Sequence, residues 1–161
     1  MIEKLLALAA TVLVLLGSAC AGGISYAKIQ TQLPELAANQ GRIYIYTPVR
    51  GFAHNFQPQV LVNGEDVGQS RSGSFLVLNR PAGTYRIEAA KQASFSAFSG
   101  QRPSVPVNIY LAAGARAYIH MQVENDELAL RAVAISADPA DAERDLRELR
   151  YLGGNALPQK D

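Results

Sequence analysis

Gln59-Val60-Leu61-Val62-Asn63-Gly64-Glu65-Asp66-Val67-Gly68 decides the fold class. Asn-Gly is the strongest short hairpin signal, because both central positions of a type I′ turn need φ > 0 and these two residues tolerate it best. Val60, Leu61 and Val62 before the turn suit a pleated, half-buried surface. Working outward, the same grammar recurs. Upstream, Arg42-Ile43-Tyr44-Ile45-Tyr46 is dense in β-branched and aromatic residues and stops at Pro48. Downstream, residues 74–78 form a strand and Arg80-Pro81-Ala82-Gly83 a turn. Residues 84–89 then alternate, with Tyr85, Ile87 and Ala89 on one face and Arg86 and Glu88 on the other.

A loop of small residues over 92–104 holds Phe95 and Phe98. Residues 105–111 form a strand whose start is demoted to an edge by Pro106. Ala113-Gly114 turns the chain, and residues 116–123 return with Tyr118, His120 and Gln122 opposite Ala117, Ile119, Met121 and Val123. After Glu124-Asn125-Asp126, residues 128–135 close the set. The pattern predicts an all-β domain over 42–136, an antiparallel β-sandwich of roughly eight strands.

The period changes at the end. Asp138 suits an N-cap and Pro139 the first helical position. Asp141 and Glu143 precede Arg147 and Arg150, which matches the helix dipole. Ala142, Leu146, Leu149 and Leu152 form an apolar stripe, so a C-terminal helix is expected over 137–153, ended by Gly153-Gly154 and followed by a tail over 154–161.

At the other end, Lys4 precedes an apolar run over 5–16, then Gly17, Ser18, Ala19 and Cys20. Charge, apolar run and small residues are the layout of a signal peptide over 1–19. The run is shorter than the roughly 20 residues of a membrane span. Leu16-Gly17-Ser18-Ala19-Cys20 resembles the lipobox of bacterial lipoproteins, with Gly17 where that motif usually has Leu. The resemblance implies diacylglycerol on the Cys20 thiol, cleavage before it and acylation, as by palmitate, of the new amine. Cys20 is the only Cys, so no internal disulfide is possible, and lipidation would use a thiol that is otherwise a liability in an oxidising compartment. An uncleaved N-terminal membrane anchor is the alternative. Ala21 after the Cys favours the outer membrane, facing the periplasm, where the organism has one. Residues 20–41, with Gly22-Gly23 and a polar stretch around Pro34, read as a lipid-anchored tether with a short helix near 34–39.

Gly41-Arg42-Ile43-Tyr44-Ile45-Tyr46, Val60-Leu61-Val62-Asn63-Gly64, Val67-Gly68, Ser74-Phe75 and Pro81-Ala82-Gly83-Thr84-Tyr85 resemble a bacterial family known as domain of unknown function 2846. The resemblance covers about half of the chain after Cys20. It departs at Thr47, where the family often has Arg, and at Pro81-Ala82, where it often has a double Pro. Its members are often predicted envelope lipoproteins, and it transfers no catalytic residue. The same order of turns also looks like small surface β modules proposed to touch cell-wall sugars.

Composition narrows the function. Apolar residues make up 48% and charged residues 18%, which excludes a chain disordered throughout. A formal net charge of +1 with scattered Lys and Arg argues against nucleic acid as a partner. His54 and His120 are isolated, so no metal ligands and no cofactor are expected. No G-x-S-x-G elbow exists, and Glu65 and Asp66 read as a solvated turn, so no catalytic residue is assigned. Possible ligand contacts are Tyr44 and Tyr46, on the strand face opposite Ile43 and Ile45, and Phe52, His54 and Phe56 in the loop that follows. Two readings stay open for the Tyr pair: a sugar-stacking face, or, favoured, burial beneath the C-terminal helix.

The expectation is a non-enzymatic cell-envelope lipoprotein. It would be held at a membrane through Cys20 and act as a binding or interaction module for an envelope protein or cell-wall glycan. The alternative is an envelope hydrolase or sugar-processing enzyme, which needs a deep pocket with convergent ionisable side chains. A third reading uses Leu146 and Leu149 as a docking stripe.

Overall fold

A computed structural model of the protein describes residues 23–52, 54–90, 103–126 and 129–157. The expected signal segment, Cys20, Phe95, Phe98, Leu128 and the last four residues of the tail lie outside the described residues. The elements run α1 (Tyr26–Gln30), β1 (Gln40–Thr47), β2 (Gln59–Val62), β3 (Glu65–Gln69), β4 (Ser74–Pro81), β5 (Gly83–Ala89), β6 (Val107–Leu111), β7 (Arg116–Asp126), β8 (Ala129–Ser136), α2 (Pro139–Leu146) and β9 (Arg150–Gly153).

The strands form two sheets, ordered β8-β7-β1-β4-β9 and β3-β2-β5-β6. The β2–β3 hairpin turns through Asn63 and Gly64, at φ 51° and 83°, as its sequence requires. Ile43, Ile45, Leu76, Leu78, Ile119 and Met121 of the first sheet pack against Val60, Val62, Ile87 and Leu111 of the second. That apolar layer makes the two sheets a sandwich. Pro106 falls where the chain changes sheets. Val105 exchanges bonds with Ala132 and Ala134 of β8, while β6 pairs with β5 at the edge of the second sheet. A residue without an N–H fits that break in the ladder.

The sheets are not wholly antiparallel: β1 runs parallel to β7, and β4 parallel to β9. β9 was not expected. The helix ends at Leu146, and residues 150–153 become a strand because Ser74, Phe75 and Leu76 offer an unpaired ladder edge. Asp138 does cap the helix, accepting from the N–H groups of Ala140 and Asp141 at 2.9 and 3.4 Å. Past the strand, the Gly154 backbone presses on Val77 so closely that an added Cβ would sit 2.1 Å from the Val77 carbonyl oxygen. Ala156 beyond it is buried, so the tail begins later than residue 154.

A second core covers the outer face of the five-stranded sheet. Tyr44, Tyr46, Phe75, Val77 and Tyr118 rise from the strands and meet Tyr26, Ile29, Ala142, Leu146 and Leu149. Tyr44 stacks on Tyr118 with ring centres 5.1 Å apart, and Tyr26 meets Tyr44 edge-on at 6.1 Å. The docking-stripe reading is therefore corrected: Leu146 and Leu149 are interior. So is the tether reading over residues 23–40. Ser25 caps a helix at 26–30 instead of near 34–39, and Tyr26 and Ile29 bury on one side of it. The Arg42 guanidinium, itself buried, donates to the Pro34 carbonyl at 2.6 Å and the Asn79 amide oxygen at 2.8 Å. Tyr151 N–H donates to the Ile24 carbonyl at 2.8 Å. A segment held at each end by such bonds is part of the fold.

Leu146→Ala removes a fully buried side chain and should cost about 2–4 kcal/mol in urea unfolding. A loss below about 0.5 kcal/mol, the size of a surface change, would refute its place in the core.

Candidate functional site

The five expected contact residues do not form one site. Tyr44 and Tyr46 are buried in the second core, where the covering reading places them. Phe56 is buried between the sheets in the first core. Phe52 is half exposed and His54 exposed, both on the loop leaving β1.

That loop is held by a residue the sequence reading passed over. Arg50 N–H donates to Ser72 Oγ at 2.9 Å, and its Nη2 donates to the Met121 carbonyl at 2.9 Å. Beneath it, the Thr47 and Ser70 hydroxyls share a buried hydrogen bond of 2.8 Å. Nη1 of Arg50 is buried without a hydrogen-bond partner, and no carboxylate pairs with this guanidinium among the described residues. Burial pulls its pKa down to about 10, so it stays charged at neutral pH. Pro48, Arg50, Phe52, His120, Gln122 and Val123 surround a cavity of about 160 Å³. His120 stacks on Tyr46 at 5.1 Å and 13°. Burial pushes the imidazole pKa below its ordinary 6.5, with Asp145 opposing and nearby Arg50 adding to the fall. The cavity thus sets a neutral ring and an aromatic edge beside a buried cation whose Nη1 is not itself exposed.

A broader groove of about 380 Å³ lies between β6 and β7, lined by Tyr110, Arg116, Tyr118, Ala137 and Pro139. Tyr118 donates to Glu143 Oε1 at 2.8 Å, and Arg116 Nη1 stands 3.8 Å from the same oxygen. Burial, then the Glu143 hydrogen bond, pushes the Tyr118 pKa up to about 12. Glu65 and Asp66 act separately, one pairing with Arg80 at 3.0 Å and the other accepting from Gly68 N–H at 2.9 Å. Among the described residues, no group of three His, Cys, Asp or Glu could hold a metal, and no helix is long and apolar enough to cross a membrane.

The geometry defines a small β-sandwich protein with open cavities beside β7 and a covered outer sheet face. The model of a family described as protein of unknown function (DUF2846) matches residues 37–132, more than half of the chain, and the chain belongs to that family. The match spans the sandwich up to the middle of β8 and leaves out α1, α2 and β9, the elements that cover the second core. No curated protein and no solved structure matches the chain.

His120 gives a pH signature. The unfolded chain binds its proton near 6.5 and the folded chain only at lower pH. Its contribution is therefore fully present above that value and is lost as pH falls through the folded pKa. His120→Asn should flatten the fall in unfolding free energy between about pH 7 and pH 5 relative to the parent protein. Equal slopes in the two proteins would refute a depressed His120.

Proposed function

We propose that this protein is a lipid-anchored, non-enzymatic interaction module of the bacterial cell envelope. The apolar run over 5–16, ending Gly17-Ser18-Ala19-Cys20, carries the reading. Two or three acyl chains on Cys20 exceed the single chain at which membrane anchoring is marginal. The family match supports the resemblance noted in the sequence, whose members are often predicted envelope lipoproteins. The partner is an envelope protein or a cell-wall glycan, received by loops at the strand ends.

One observation favours a hydrolase or sugar-processing enzyme instead: Arg116, Tyr118 and Glu143 converge beside the larger groove. That reading would gain from cleavage of peptidoglycan fragments by the full chain and its loss in Glu143→Gln.

Intact-mass analysis of the protein extracted from membranes tests the main reading. The expected mass lacks residues 1–19 and carries diacylglycerol with an amide-linked acyl chain. Cys20→Ser should retain Met1 and show no acyl mass. A parent protein that keeps Met1, or leaves the detergent phase for water in a cloud-point partition, would overturn the anchor.

A further inference from the structure

We propose that one pole of the sandwich, built by the loop after β1, the turn at residues 70–73 and the chain entry at Gly23, rests on the lipid surface with Val49 and Phe52 inserted among the headgroups. The inference rests on the anchor reading of Cys20 and adds an orientation to it.

Three contacts assemble this pole. Ser25 bridges Arg150 at the outer edge of β9, and a Cβ on Gly23 would lie 3.4 Å from that of Arg150. Arg150 N–H donates to the Gly73 carbonyl at 3.1 Å. Gly73 N–H in turn donates to the Thr47 carbonyl at 3.0 Å, at the end of β1. The entry segment, β9, β4 and β1 are thus neighbours across one sheet end, about 14 Å wide at the usual strand spacing. Cys20 lies three residues before Gly23, so its Cα can be at most about 11 Å away. Since Ser25 is locked to β9, the lipid has no long leash.

The surface at this pole fits that neighbour. Val49 is 75% exposed and Phe52 52%, the two on one loop and both more exposed than a core has any use for. Arg50 between them turns inward to the Met121 carbonyl, which pins the loop and leaves the apolar pair facing out. Arg147 and Arg150 are exposed nearby, with Glu148 between them in sequence. Apolar side chains at the acyl boundary with flanking basic groups are the pattern of interfacial binding. Tyr110 supplies a contrast. It is 74% exposed, but it pairs with Thr84 next to the Gly83 end of β5, at the opposite pole.

The chain contains no Trp, so F52W, V49W and Y110W each place a single reporter in the full-length protein. Each is purified from membranes and reconstituted in phosphatidylcholine–phosphatidylglycerol vesicles, with or without brominated acyl chains. Trp at 52 and 49 should lose about half of its emission to brominated lipid, and Trp at 110 almost none, given insertion of about 5–10 Å. Absence of quenching at both 49 and 52, or quenching as strong at 110, would overturn the proposal. A blue shift at 52 without quenching would assign the patch to a protein partner and overturn it too. Intact mass of the same samples separates the two ideas. Acylated protein with unquenched reporters removes only the orientation, whereas protein without acyl mass removes the anchor reading and this inference with it.

Discussion

The burial of β1 on both faces is the constraint from which the rest of the structure follows. Ile43 and Ile45 point into the layer between the sheets, while Tyr44 and Tyr46 point to the other side and are just as inaccessible. A strand buried on both faces needs a partner layer on each. The second sheet provides one. The other has to be assembled from α1, α2, β9 and the residues after it, which come from the two ends of the described chain. The Tyr hydroxyls on this face then need polar company or a route to water. Tyr44 finds Gln30 at 3.0 Å, and Tyr118 beside it finds Glu143. The aromatic stack on this face therefore fixes where both helices lie, as well as burying area.

The two glycines that matter lie against the paired strands β1 and β4. A Cβ on Gly41 would meet the Ala112 carbonyl oxygen at 2.7 Å, and one on Gly154 the Val77 carbonyl oxygen at 2.1 Å. Each marks a place where a second piece of backbone closes on the central ladder, at the start of β1 and along its neighbour β4. Arg42 does a related task. It is a buried cation bonded to Pro34 and Asn79, so it ties the segment before β1 to the strand beside it. Gly41-Arg42 thus has a structural account within the family match.

Local pattern revealed the sandwich because its strands are written with period two and its turns with Asn, Gly and Pro at positions that demand them. The eight expected strands are all present in the described residues. What stayed hidden depends on partners distant in sequence. Arg150-Tyr151-Leu152 continues an acceptable helical stripe, and only the free edge of β4, some seventy residues earlier, makes it a strand. The stripe itself was informative: Ala142, Leu146 and Leu149 are all buried, although Leu149 reaches the core from a turn. The segment before β1 did carry a signal, Ser25 as a cap with Tyr26 and Ile29 three apart, but Gly, Gln and Pro around it read as a spacer. The loop site was half legible. Aromatic residues at 52 and 56 drew notice, yet only the fold separates an exposed Phe52 from an interior Phe56, and a lone Arg50 has no local mark at all.

The covering layer also changes what the N-terminal segment can do mechanically. A flexible spacer would let a domain roam and face any direction. Here Ile24 and Ser25 are bonded into the edge of the five-stranded sheet, and Tyr26 and Ile29 are buried against its face. A pull on the chain before Gly23 is therefore carried directly into β9 and then, through the ladder, into β4 and β1. It also loads the aromatic layer that makes β1 stable as a central strand. Freeing residues 23–40 to act as a spacer would uncover Tyr44 and Phe75, against which Tyr26 packs edge-on, on the order of a few hundred Å² of aromatic surface at typical areas. The free-energy cost of that exposure would be of order several kcal/mol, comparable to the whole stability of a small domain. Reach and stability are thus coupled over residues 23–40: this segment can lengthen into a spacer only by giving up the packing that covers the outer face of the five-stranded sheet.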